Sequence, residues 1–115
     1  MFVLKTKSTY RWPVTFKMPN GSGEMQECDF TAEFSRVPQA VIDAFITDGS
    51  MQEKLDREKS LTEVALVGWH DVQDAVGDPL AFSDEAKAQL LSIPGVRAAV
   101  VRAYFDSLAG ISAKN

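Results

Sequence analysis

"GWHDVQDAVGDPLAFSDEA", residues 68–86, sets the chain's one histidine, a tryptophan and four aspartates into a stretch that otherwise reads as a connection between helices. A loop of this length without secondary structure is uncommon in a small domain unless it is functional or pinned by its own side chains. The pinned reading has named anchors. Trp69 can bury its indole at the end of the preceding helix, and Leu80 and Phe82 can do the same just before Ser83. Asp71 to Asp74 and Gly77-Asp78-Pro79 supply turn chemistry between them. On this reading His70 is the polar neighbour of a core anchor.

The chemical readings of the same residues are weaker. A nucleophile pair would join Ser83 or Cys28 to His70, but it also needs an orienting carboxylate and oxyanion donors, and no G-x-S-x-G elbow occurs. Asp71, Asp74 and Asp78 around Gly77 miss the spacing of a calcium loop and its distal glutamate. One cysteine and one histidine, far apart in sequence, fall short of the four ligands of a structural zinc site. Paired carboxylates are everywhere in an acidic chain and discriminate nothing without a cleft.

Working outward, helical patterns flank the segment. Before it, Met51, Leu55, Leu61, Ala65 and Leu66 fit a helix from about Ser50 to Val67, with Glu53 four residues ahead of Arg57 for surface support. Its first half, "QEKLDREKS", is the least apolar part of the chain, and fraying is expected there. After the segment, Ser83 is a good N-cap, Asp84 and Glu85 suit the helix dipole, and Leu90 and Leu91 give a buried side. Beyond Pro94, Val96, Ala99, Val100, Ala103, Tyr104 and Leu108 form an amphipathic stripe that stops at Gly110. An earlier helix is predicted over "VPQAVIDAFITDG", from Pro38 to a stop at Gly49. Residues 110–115 read as a flexible tail.

The N-terminal part alternates instead. Tyr10, Trp12, Val14, Phe16 and Met18 share one parity, and Cys28, Phe30, Ala32 and Phe34 share another run of it beyond "NGSG" (20–23). These runs predict an antiparallel β-hairpin over about 9–35, with Pro13 marking an edge or a bulge. A hairpin is marginal alone, so its aromatic face must cover something helical. The expected fold is α+β: this hairpin followed by about four helices over 38–109, in a single domain spanning 1–115.

Composition sets limits on function. With 45% hydrophobic and 24% charged residues the chain matches an ordinary globular domain. A formal net charge of −4 and the lack of a basic stripe argue against nucleic acid as a partner. No apolar run reaches membrane-helix length and no leader is evident, so a cytoplasmic location is expected, to which the lone Cys28 adds agreement. Protein partners become the default.

The order of features resembles the tail assembly chaperones of long-tailed bacteriophages. The matching pieces are "YRWPVTFKMP" (10–19) with "FTAEF" (30–34), "VPQAVIDAF" (37–45), "EVALVGWHDVQDAVGDPLAFSDEA" (63–86), "LLSIPGVRAAVVRAYFDSLAG" (90–110) and the closing "AKN". The most specific part is Gly68-Trp69, an acidic loop, Gly77, Pro79-Leu80, Phe82-Ser83 and Glu85; "DGSMQEKLDREKS" (48–60) is the least similar. The resemblance implies a protein that is not an enzyme and needs no cofactor or metal. It implies action in the cytoplasm of an infected bacterial host, binding of the tape measure protein, help to the tail-tube protein as it polymerises, and departure before the tail is finished. Many members also have a longer, frameshifted form, with which Lys114-Asn115 is compatible through an A-rich codon pair.

A tape measure exposes apolar helical stripes before the tube encloses it, which favours a chaperone that forms homo-oligomers and binds repeatedly with modest affinity. Candidate partner-binding or self-association residues are Tyr10 and Trp12 on the hairpin and Val100 and Tyr104 on the last stripe. The competing reading places both pairs in the core. A permanent small virion protein of the tail tube or head–tail connector is the alternative function.

Overall fold

The computed structural model describes residues 1–2, 8–46 and 49–110. Its elements run β1 (Thr9–Pro19), β2 (Met25–Ser35), α1 (Gln39–Phe45), α2 (Met51–Ala65), β3 (Leu66–His70), α3 (Asp84–Leu91) and α4 (Val96–Ala109). The fold is α+β: an antiparallel sheet in the order β1-β2-β3, with helices packed on one face. The expected tail begins at Gly110, the left-handed cap of α4, and its residues 111–115 lie outside the described residues.

The hairpin follows the alternation. β1 and β2 pair from Thr9↔Ser35 to Pro19↔Met25, which puts Tyr10 opposite Phe34, Trp12 opposite Ala32 and Val14 opposite Phe30 on the inner face. Val14, Phe30, Ala32 and Phe34 are buried, while the odd-numbered Arg11, Lys17, Glu27 and Asp29 are exposed. Asn20 ties the turn: its Oδ1 accepts from the Ser22 and Glu24 amides at 2.8 and 3.1 Å, and Gly23 adopts φ 82°. β1 is an edge strand, the place where Pro13 costs the ladder least.

The main correction lies at the start of the acidic segment. The chain does not stay helical to Val67; α2 stops at Ala65, and Leu66 to His70 form a third strand against β2. Trp69 is therefore a residue of a strand and not an anchor placed just beyond a helix end. The passage needs no loop. Leu66 caps α2, giving its amide to the Thr62 carbonyl, while already in an extended conformation (φ −91°, ψ 104°). The Val64 carbonyl, left without a helical partner, accepts from the Ser35 Oγ of β2 at 2.7 Å, so the sheet itself closes the helix end. Valine at 67 and glycine at 68 are poor helix residues, which agrees with the break.

The helical layer differs from expectation in detail. α1 ends at Phe45, capped by Ile46, short of the stop expected at Gly49. α2 runs unbroken through "QEKLDREKS", started by a capping box: Ser50 accepts from the Glu53 amide and the Glu53 carboxylate accepts from the Ser50 amide. Arg57, expected to support Glu53 from four residues on, donates to the Glu53 and Phe45 carbonyls. Ser83 caps α3 by accepting from the Ala86 amide at 3.0 Å, as the sequence led us to expect. α4 supplies the largest share of the buried stripe, from Val96 to Tyr104, but Leu108, expected on that stripe, is exposed.

Candidate functional site

The segment after β3 is a folded turn. A β-bulge at Glu33/Phe34 sets Leu66 opposite Phe34 and Gly68 opposite Glu33, leaving Val67 out of register. Trp69 then falls opposite Ala32 and points inward, and His70 falls opposite Thr31 on the exposed outer face. Gly68 lies close under its neighbour: a Cβ there would be 2.9 Å from the flexible end of Glu33, at Oε2, and 3.3 Å from Glu33 Cβ, so a larger residue would make Glu33 move.

Beyond His70 the chain closes on itself. Gln73 bridges Pro79, and the Leu80 amide donates to the Val72 carbonyl at 2.8 Å. Asp74 is the keystone: its Oδ1 accepts from the Val76 and Asp78 amides, both at 3.0 Å. Gly77 makes the tight return at φ 89°. Trp69 fastens this turn to the sheet, donating Nε1–H to the Leu80 carbonyl at 2.8 Å and meeting the Phe82 ring edge to face at 4.8 Å. Leu80 and Phe82 are half-buried against the core.

The groups considered for catalysis sit apart. His70 is on the outer face, Cys28 shares the inner-face parity of β2 opposite Phe16, and the Ser83 hydroxyl caps α3. Among the described residues no three His, Cys, Asp or Glu side chains are grouped to hold a metal ion. No helix among them is long and apolar enough to cross a membrane.

The candidate contact residues divide. Val100 and Tyr104 are both 1% exposed, inside the monomer and unavailable to a partner while the core is intact. This corrects their placement as candidate surface. The Tyr104 hydroxyl is central: it accepts from the Val37 amide at 2.9 Å and donates to the Ser35 carbonyl at 3.2 Å, tying α4 to the chain leaving β2. Burial pushes its pKa above the ordinary 10.0, partly opposed by the Val37 hydrogen bond. Tyr10 is half-buried, bonded to Ser107 Oγ at 2.7 Å and covered by the Arg36 guanidinium 5.1 Å from its ring centre. Trp12 is half-buried, its Nε1 sealed off without an acceptor.

The apolar surface lies elsewhere. Ile46, Met51 and Leu55 are exposed at the end of α1 and along α2, the last two one helical turn apart. Val64 and Val67 are exposed at the α2–β3 junction. The helical stripe places Met51 and Leu55 with the core, but the buried residues of α2 are all in its second half, at Leu61, Thr62 and Ala65, and the mostly polar first half is exposed or half-buried. No family model, curated protein or solved structure matches the chain.

Proposed function

We propose that the chain is a tail assembly chaperone of the long-tailed bacteriophage kind, which binds the tape measure protein in the bacterial cytoplasm, self-associates, and promotes tube assembly around its client. The observation that carries this reading is the ordered run Gly68 to Glu85, the most specific part of the resemblance. In it Trp69, Leu80 and Phe82 act together as anchors while Asp74 and Ser83 are engaged with backbone amides. Residues so engaged suit a protein that works by contact. The exposed Met51 and Leu55, at i and i+4, offer the spacing by which one helix meets the apolar stripe of another.

Co-expression with a fragment of the tape measure protein encoded nearby tests the reading. Co-elution is expected, weakened by Met51→Asp with Leu55→Asp; failure of two folded partners to associate overturns it. Mass spectrometry of finished particles separates the alternative. A chaperone is absent from them, whereas a permanent tube or connector subunit is present in stoichiometric amount.

A further inference from the structure

α2, α3 and α4 line a half-open cleft of about 260 Å³ with three cations, Lys59, Lys87 and Arg97, and with Glu63 and Asp84 also on its walls. A second groove of about 350 Å³ shares Lys59, Leu91 and Arg97 with it and is lined further by Leu55, Glu58 and Ile93. None of these cations was marked out by the sequence pattern.

The cavity's charges are incompletely matched from within. Lys87 is only 8% exposed; its Nζ donates to the Glu63 carbonyl at 3.0 Å, and desolvation lowers its pKa from 10.5 against the opposing pull of Glu63 and Asp84. Arg97 Nε is sealed from solvent and has no acceptor. Among the described residues no ion pair within 4.0 Å closes Lys59, Lys87 or Arg97. That sealed nitrogen is out of a ligand's reach, but Arg97 as a whole is only part-buried and lines the cleft, and the terminal nitrogens of a guanidinium are shaped to meet a carboxylate. α4 also begins here without a side-chain cap, adding the positive end of its dipole.

We propose that this cleft receives an acidic side chain of a partner protein's peptide segment, its carboxylate against Arg97, Lys59 and Lys87 and a neighbouring apolar side chain on Leu55 and Ile93. Where the carboxylate would sit, three cations face two carboxylates and leave one positive charge to match it; Glu58 lies on the adjoining groove, beside the apolar side chain. A polyanion would face Glu63 and Asp84 and a chain of net charge −4. The inference is independent of the chaperone reading, because it concerns the chemistry of the segment and not the identity of the protein that carries it.

Amide NMR titration of the full chain tests it, using an alanine-rich helical peptide with glutamate and leucine four residues apart, its glutamine twin, and inorganic phosphate. The glutamate peptide is expected to perturb the Lys59 and Arg97 amides and to bind about tenfold tighter than the twin, a preference that Arg97→Gln abolishes. Lys59→Gln, at an exposed position, should reduce the same preference and serves if the Arg97 variant does not fold. Equal binding of the two peptides, no binding of either, perturbation confined to other surfaces, or phosphate binding more tightly than the peptide would each overturn the proposal.

Discussion

The β1–β2 hairpin and the β3 segment belong to one sheet and bury comparable aromatic anchors, yet one is written in the sequence and the other is concealed by it. In the hairpin the inward residues are apolar from Tyr10 to Met18 and from Cys28 to Phe34, Gln26 next to the turn being the exception, and each pair is in register over eleven positions, so period two survives. In β3 a bulge shifts the register after one residue, and the buried positions fall at Leu66, Gly68 and Trp69. That pattern suits no period. The strand also follows α2 directly, so the apolar run of Ala65, Leu66 and Val67 can be appended to the helix just as well. An alternation is reliable where pairing is regular; a bulge removes the signal along with the register.

The largest effect should come from the shared centre of the two regions. Phe34, fully buried, meets Tyr104 edge to face at 5.1 Å and pairs with both Tyr10 and Leu66. Phe34→Ala is expected to cost about 3–5 kcal/mol, read by chemical denaturation, and to loosen hairpin and β3 together. Loss of protection in β3 alone would break the view of them as one sheet. Tyr104→Phe removes the link between α4 and the end of β2 and leaves the Val37 amide without its partner, at a cost of about 1–3 kcal/mol in the same measurement.

Smaller changes sharpen the contrast within β3 and its turn. Trp69→Phe keeps a ring against Phe82 but drops the bond to the Leu80 carbonyl; about 1 kcal/mol is expected, with faster amide exchange in 72–80 and an unchanged hairpin. Asp74→Ala releases the Val76 and Asp78 amides on the exposed side of the turn and should cost about 0.5–1.5 kcal/mol, again seen as local exchange. His70→Gln, on the outer face, should change stability by less than about 0.5 kcal/mol and leave assembly intact. A large loss of assembly from that last substitution would reopen a chemical role for the histidine.

Much of the pinned segment was legible because its parts are local. Ser83 with Asp84 and Glu85 is a cap spelled in consecutive residues, and Gly77-Asp78-Pro79 is turn chemistry. The role of Asp74 was less so, since four aspartates in one segment look alike until the backbone shows which of them faces amides. The capping box of α2 was present as Ser50 and Glu53, three residues apart, and that spacing is the signal that would have argued against fraying. The cation cavity had no such signal. Lys59, Lys87 and Arg97 come from three helices, and a lysine between Ala86 and Ala88 reads as solvated until packing buries it.

By itself the sequence determined the hairpin, its turn, the N-caps of α2 and α3 and the inward stripe of α4 from Val96 to Tyr104, because each depends on residues within a few positions of one another. Only the tertiary structure decided where α2 stops, which way Trp69 and His70 point, what the Tyr104 hydroxyl binds, and which cations meet. The first two depend on what β2 presents to a distant segment: Ser35 closes the helix end, Glu33 crowds Gly68, and Ala32 stands opposite Trp69; the cations meet because three helices pack together. Contacts of that range leave no periodic trace in the chain that obeys them.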